Sequence, residues 1–219
     1  EIVLDLDATD DLIHGTQEGR FFHGYYGNYC YLPLYIFAGE HLLCAKLRPA
    51  NIDASAGATK QVARIVEQIR GAWPGVRIIL RGDSGFCREE LMAWCEENQV
   101  DYLFGLAKNR RLLQILGGEL HQAQQNFEVT REPVRVFKEF EYQTRKSWSR
   151  ARRVIGKAEH LAKGANPRFV VTSLRCREPG LPSNPAHSAE RSGTDAQRWS
   201  PRALYEELYC ARGDMENRI

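Results

Sequence analysis

The sequence lacks the cysteine spacings that mark redox or zinc sites. None of its six cysteines forms a Cys-x-x-Cys pair, and no cluster of cysteines and histidines has the spacing of zinc ligands. We therefore interpret the cysteines as small buried apolar residues in a reducing compartment, and we expect a cytoplasmic protein. No two histidines are four residues apart, and no role is assigned to any histidine.

Long apolar runs are also missing. No segment approaches the roughly 20 apolar residues that a membrane-spanning helix needs, and the N-terminus does not have the pattern of a signal peptide. We expect no membrane partner. Both ends of the chain fall inside predicted secondary structure, so we expect a fragment of a longer protein.

Neither sign of charge dominates the chain. Lys and Arg number 30 and Asp and Glu number 28, so the net charge of +2 identifies no partner. Residues 145–157, however, contain only basic charges. A solvated charged face would explain this run, but such a run would also attract a phosphate backbone. We therefore predict that five of its members bind DNA: Arg145, Lys146, Arg150, Arg152 and Arg153.

Hydrophobic patterning predicts an α/β organisation. Residues 2–9 and 76–82 have the pattern of buried strands, and the helical periodicity of 55–73 lies between them, with Asp53 or Ser55 as its cap. This βαβ order favours parallel pairing. The other predicted elements are strands at 29–38, 41–48 and 100–106, helices at 88–98 and within 109–123, and alternating strand patterns between 127 and 174. A Gly-rich turn region at 14–27 contains several aromatic residues, which receive no role.

Aspartates end two of the strand patterns. Asp5 and Asp7 share one strand face, and Asp83 follows the strand at 76–82. Each could be a turn or cap residue. Two ionised carboxylates in a buried strand nevertheless need a compensating cation or donor. A metal ligand at the carboxyl end of a central strand is the functional interpretation of Asp83.

The last helix combines three residue types. Tyr209, Arg212 and Glu216 follow one another at spacings of three and four, so a regular α-helix would place them on one face. An amphipathic helix with one Arg–Glu pair would explain the two charges but not the tyrosine. An acid for a metal, a base for a phosphate and an aromatic residue near a nucleotide favour a surface that processes DNA.

These segments together resemble the catalytic domain of DDE transposases from bacterial insertion sequences, and in particular their thirteen-eighty group. The resembling segments are LDLDAT at 4–9, HGTQEG at 14–19, YLPL at 31–34, LRP at 47–49, RGDSGF at 81–86 and YCARGDMEN at 209–217. The last fits the family signature of Tyr, two residues, Arg, three residues, Glu, six residues and Lys. That Lys would fall four positions beyond Ile219.

The resemblance implies a ribonuclease-H-like mixed sheet flanked by helices, with a β-rich insertion before the last helix. We accordingly expect a first core part at 1–126, the insertion at 127–175, a flexible Pro- and Ser-rich loop at 176–200, and a catalytic helix at 201–219. The resemblance also implies that the first catalytic acid is Asp7, with Asp5 as the second choice.

The implied chemistry is that of a DDE transposase. Asp7, Asp83 and Glu216 would bind two Mg²⁺ ions about 3.5–4 Å apart, with Mn²⁺ as an alternative metal. Tyr209 and Arg212 would assist with DNA. Expected partners are transposon ends, target DNA and a second subunit in an active homodimer, in a bacterial cytoplasm near the nucleoid.

Two rival hypotheses stay open on the sequence. Asp5-x-Asp7-x-Thr9 also resembles the first motif of haloacid-dehalogenase-type phosphatases, where the first Asp is a nucleophile. The matching late acidic motif should lie near the end of such a domain, whereas more than half of this chain follows Asp83. The second rival is an inactive remnant of a transposase.

Overall fold

The computed structural model describes residues 1–175 and 197–213, and these divide into two compact units. The first comprises Glu1–Tyr102 and Arg212–Ile219, and the second comprises Leu103–Ala211. Each unit is described by itself below. Glu216 and most of the loop expected at 176–200 lie outside the described residues.

The first unit is built on a mixed sheet. Its strands are β1 (Ile2–Ala8), β5 (Leu34–Ala38), β6 (His41–Lys46) and β7 (Ile78–Gly82), in the order β6-β5-β1-β7. As expected from the βαβ pattern, β1 and β7 are parallel, while β5 is antiparallel to both β1 and β6. Leu4 and Leu6 are fully buried on one face of β1. Asp5 and Asp7 therefore share the other face.

A small second sheet follows β1. It consists of β2 (Asp11–Leu12), β3 (Phe21–His23) and β4 (Asn28–Tyr31), in the order β2-β4-β3. The single strand predicted over 29–38 is wrong, because the structure breaks it between β4 and β5. Pro33 explains the break, since proline has no N–H to give to a ladder. β5 and β6 form a hairpin, and Gly39 in its turn has a φ of +57°.

Two helices complete the first unit. α1 (Ala58–Ala72) buries Val62, Ile65 and Val66, the apolar stripe that predicted it. It begins later than expected, and neither predicted residue caps it, because Gly57 holds the cap position in a left-handed conformation. Asp53 instead accepts the backbone N–H and the hydroxyl of Ser55. α2 (Glu89–Glu97) and β8 (Asp101–Leu106) follow β7 closely as predicted.

The second unit is a β-sheet with two preceding helices. α3 (Arg110–Ile115) and α4 (Gly117–Thr130) replace the one helix expected within 109–123, so helix extends into the segment expected to be strand. The strands are β9 (Val134–Tyr142), β10 (Arg152–Leu161), β11 (Gly164–Ala165) and β12 (Arg168–Thr172). β10 lies between β9 on one edge and β11 and β12 on the other, and β12 pairs with residues 103–106 of β8.

The last helical segment, α5, has three parts. Pro201–Ala203 is α-helical, Leu204–Tyr209 is π-helical and Cys210–Arg212 is 3₁₀-helical. Ser200 caps its start by accepting a hydrogen bond from the Ala203 N–H at 3.3 Å, and Pro201 fits the first helical position because it has no N–H to satisfy there. No helix in the described part of the chain combines the length and apolarity that a bilayer crossing requires.

Candidate functional site

The parallel register brings two of the predicted acids together. Leu6 of β1 pairs with Gly82 of β7, and each is followed directly by an aspartate. Because neighbouring strands are about 4.8 Å apart, Asp7 and Asp83 leave adjacent strand ends side by side. Both side chains line one cavity of about 650 Å³. The carboxyl ends of neighbouring parallel strands are where open α/β sheets bind ligands.

The Asp83 carboxylate is fixed by its own turn. Its Oδ1 accepts a hydrogen bond from the Gly85 N–H at 2.8 Å. A Cβ on Gly85 would lie only 2.9 Å from that oxygen, so this turn needs a glycine. Helix α2 begins later, at Glu89, with Arg88 at its cap position. The alternative that Asp83 or Ser84 caps this helix is therefore wrong, and Asp83 is oriented at the cavity wall.

Asp5 has a different role from Asp7. It is 4% exposed and pairs in register with Arg81, which donates to Oδ1 at 2.5 Å and to Oδ2 at 2.7 Å. This ion pair compensates the buried carboxylate internally. Both Asp5 oxygens are engaged by Arg81, so Asp5 is neither the second choice for a metal ligand nor a free nucleophile. The phosphatase hypothesis loses its nucleophile for the same reason.

Arg212 is placed at the acid pair. Its Nη1 lies 3.6 Å from Asp7 Oδ1, and its side chain lines the same cavity. Tyr209 lies in the π-helical part of α5, with its ring 5.6 Å from that of Tyr205. Face-sharing at spacings of three and four assumes a regular α-helix. The segment here is π-helical up to Tyr209 and 3₁₀-helical over Cys210–Arg212, so the common face of Tyr209 and Arg212 stays a prediction.

Sequence patterns missed several residues of the cavity wall. Besides the acids, the lining includes His23, Tyr25 and Tyr26 from the Gly-rich turn, and Arg88 from the segment after Asp83. The many aromatic residues of that turn were the only sequence pattern that marked His23, Tyr25 and Tyr26. No motif spacing places that turn near the aspartates. Arg88 is held by Asp53, with Nη2 2.9 Å from Oδ2.

Tyr26 reports the electrostatics of the cavity. Burial raises the pKa of its phenol, the negative charges of Asp10, Asp7 and Asp83 raise it further, and the pKa reaches about 12. The hydroxyl therefore stays protonated at any physiological pH. It donates to the Ala8 carbonyl at 3.3 Å, which links the turn to the end of β1.

The five basic residues predicted to bind DNA differ in exposure: three are exposed and two are buried. Arg145, Lys146 and Arg150 are exposed in the second unit and remain a prediction. Arg153 is buried and donates to the Glu139 carboxylate at 2.6 Å and the Trp199 carbonyl at 2.9 Å. Arg152 is also buried, with its guanidinium 5.5 Å from the centre of the Trp148 ring. We withdraw Arg152 and Arg153 as DNA contacts, because their side chains are engaged inside the protein.

The described residues contain an incomplete donor set for a metal. Across 1–175 and 197–213, no group of three or more His, Cys, Asp or Glu side chains is arranged to hold an ion. The two aspartates at the cavity are hard oxygen donors of the kind that Mg²⁺ prefers. Five cysteines in these ranges are free thiols, which agrees with the absence of a disulfide or zinc pattern.

Comparisons with known proteins identify the family of the chain and a similar fold. The sequence model of the transposase DDE domain group 1 family matches residues 1–219. No curated protein sequence gives a significant match. The chain is similar in structure to the piggyBac transposase in a cryo-EM synaptic complex with hairpin DNA, with a TM-score of 0.51 and 12% identity. The match covers 99% of this chain and 39% of the piggyBac chain, and it confirms the expected mixed α/β fold.

Proposed function

Since the chain belongs to the transposase DDE domain group 1 family, we propose that Asp7, Asp83 and Glu216 form its catalytic acid triad for cleaving transposon ends and transferring strands. The observation that carries this proposal is the placement of Asp7 and Asp83 at adjacent parallel strand ends on one cavity. Glu216 is included in the triad because it is the glutamate of the family signature that begins at Tyr209. Membership of the thirteen-eighty group is part of the same proposal.

The residues present fit a divalent metal. Two carboxylates at neighbouring strand ends repel each other, and Arg212, 3.6 Å from Asp7, supplies positive charge at that point. The positive charge of the Arg212 guanidinium takes the place of a cation that would balance the two carboxylates. Asp7, Asp83 and Glu216 would therefore hold two Mg²⁺ ions, with Mn²⁺ as an alternative. When bound, such ions supply charge stabilisation to the attacking and leaving oxygens of a phosphodiester.

The chain's own groups have separate roles in this proposal. Asp7 and Asp83 would hold the ions at the reacting phosphodiester, and the Gly85 N–H keeps the Asp83 carboxylate in position. Arg212, at 3.6 Å from Asp7, would contact a phosphate oxygen of the bound DNA, because guanidinium binds phosphate as well as carboxylate. Tyr26 contributes a neutral hydroxyl to the wall.

The remaining elements of the proposal concern the complete protein. We propose that it acts as a homodimer on transposon ends and target DNA in the bacterial cytoplasm, close to the nucleoid. Arg145, Lys146 and Arg150 would contact the DNA backbone. The division into a core at 1–126, an insertion at 127–175, a loop at 176–200 and a catalytic helix at 201–219 belongs to the same proposal.

The test is metal-dependent cleavage of labelled DNA from the ends of the encoding element. We expect Asp7→Asn, Asp83→Asn and Glu216→Gln each to abolish cleavage while DNA binding persists. Asp11→Asn is the matched control, because Asp11 is exposed, is near Asp7 in the chain and does not line the cavity. Normal cleavage by any one of the three variants would remove that residue from the triad. DNA binding by the unaltered protein with no cleavage would favour the inactive remnant instead.

A further inference from the structure

The β3–β4 hairpin places an aromatic wall at the acid pair. Residues 24–27 form its loop, closed by a hydrogen bond from the Gly27 N–H to the His23 carbonyl at 2.8 Å. Gly27 has a φ of +70°, which favours glycine. The loop therefore turns tightly and carries Tyr25 and Tyr26 at its tip, and both tyrosines line the cavity that contains Asp7 and Asp83.

Tyr26 anchors this wall. It packs against the buried cluster of Cys30, Leu32 and Ala50, and its hydroxyl donates to the carbonyl of Ala8, the residue after Asp7. The His23 ring lies 4.9 Å from the Tyr26 ring. Because Tyr26 joins the core of the small sheet to the end of β1, the hairpin tip has a defined position beside the acids.

Tyr25 is held in place but remains uncovered. Its ring makes an edge-to-face contact with Tyr26 at a centroid distance of 5.0 Å and an interplanar angle of 86°. The residue is nevertheless 87% exposed. Tyr25 therefore lines the cavity with most of its surface open to solvent. Isolated exposed aromatics are common, but this one shares a cavity with two carboxylates and two arginines.

The chemistry of this wall suits a nucleobase. His23, Tyr25 and Tyr26 are three ring side chains on one hairpin, and all three line the cavity that contains the acid pair. A nucleobase offers a flat π-face on which an aromatic side chain stacks.

We propose that Tyr25 stacks on an unpaired DNA base next to the phosphodiester at the acid pair, with Tyr26 and His23 as the back of this base site. The base must be unpaired, because a base inside a duplex has both faces covered by its neighbours. The cavity of about 650 Å³ is in the size range of sites for small ligands, which suits one nucleotide unit rather than a duplex. The site recognises a π-face and so does not depend on one base identity. This inference rests on the proposed function.

The probe is element-end DNA with 2-aminopurine at an unpaired position beside the cleavage point, compared with the same DNA fully paired. We expect the unaltered protein to quench the unpaired fluorophore by stacking. Tyr25→Ala should remove this quenching and weaken binding of the unpaired probe about tenfold, leaving the paired probe unchanged. Tyr25→Phe should restore both, because the ring is kept. Trp73→Ala, which removes an exposed aromatic outside the cavity, should change neither.

The possible outcomes distinguish a failure of the base site from a failure of the proposed function. Quenching by Tyr25→Ala equal to that of the unaltered protein would overturn the base site and leave the acid triad in place. Equal weakening for paired and unpaired probes would also overturn it, because the residue would then serve general DNA binding. If the unaltered protein bound neither probe, the proposed function would fail, and the base site with it. Tyr25 is mostly exposed, so thermal melting should show all variants folded.

Discussion

Glu159→Gln should destabilise the second unit more than any surface substitution. Glu159 is 3% exposed on β10 and accepts three charged or amide donors, each at 2.7 Å: Lys157 Nζ, Arg135 Nε and Asn166 Nδ2. Arg135 also donates to Glu206 on α5 at 3.1 Å. Glutamine cannot balance these cations, so the buried Lys157 ammonium would be left without its counter-charge. Breaking a buried pair in this way costs about 3–5 kcal/mol.

The pKa of Glu159 gives an independent magnitude. Burial alone would raise it, but the hydrogen bonds from Lys157, Arg135 and Asn166 hold the pKa at about 2, against an ordinary value of 4.5. The folded state therefore favours the ionised form. This stabilisation is fully present above about pH 4.5 and is lost as the pH falls towards 2. At about 1.4 kcal/mol for each pH unit between the two values, it amounts to roughly 3 kcal/mol at pH 7.

The assay is urea unfolding at pH 7 and at pH 3, followed by circular dichroism. We expect Glu159→Gln to lower the free energy of unfolding by about 3 kcal/mol at pH 7 and by only about 1 kcal/mol at pH 3. Glu141→Gln is the control. Its partner Arg175 is 2.8 Å away, but both side chains are more than half exposed, so the cost should stay below about 1 kcal/mol. A cost for Glu159→Gln below about 1 kcal/mol at pH 7, or one that is equal at both pH values, would refute the reasoning.

Two further predictions concern the cavity and the strand beneath it. Gly85→Ala should lower the free energy of unfolding in urea by about 1–3 kcal/mol and abolish cleavage, because the added Cβ would push the Asp83 carboxylate out of position. Gly75→Ala is the control, and it should change neither stability nor cleavage because the space around its Cβ is open. Asp5→Asn should lower the free energy of unfolding by about 3–5 kcal/mol, because it removes the carboxylate from a buried ion pair with Arg81, and the folded fraction should still cleave DNA. A stable but inactive Asp5→Asn protein would return Asp5 to the list of catalytic candidates.

The sequence predicted the elements that depend on local pattern and the pairing that depends on chain order. The apolar stripe of α1, the alternation in β9 and β10, and the parallel pairing of β1 with β7 all follow from periodicity and from the βαβ rule. The break at Pro33 follows from the missing N–H of proline, whereas the apolar run around it favours one continuous strand. The adjacency of Asp7 and Asp83 followed from the same order of elements.

Other features depend on partners far away in the chain. The basic run at 145–157 has the composition of a phosphate-binding face, yet Arg153 donates to Glu139 on the neighbouring strand and to the carbonyl of Trp199. The spacing of residues within the run does not predict either of these two partners of Arg153. The π-helical turns of α5 are equally invisible, because a sequence at helical spacing does not distinguish hydrogen bonds to the fourth residue from those to the fifth.

The register of β1 against β7 explains why two aspartates in one strand have different surroundings. At the first same-face position, Asp5 meets Arg81, and the buried charge is balanced within the sheet. Two residues further on, the register brings Asp7 to Asp83, where an acid faces an acid. Like charges at that separation raise the free energy of the folded state unless a cation lies between or beside them. Arg212 partly meets this need from α5. The sheet therefore neutralises the Asp5 carboxylate internally through Arg81, whereas Asp7 has a cationic neighbour, Arg212, that lies outside the sheet.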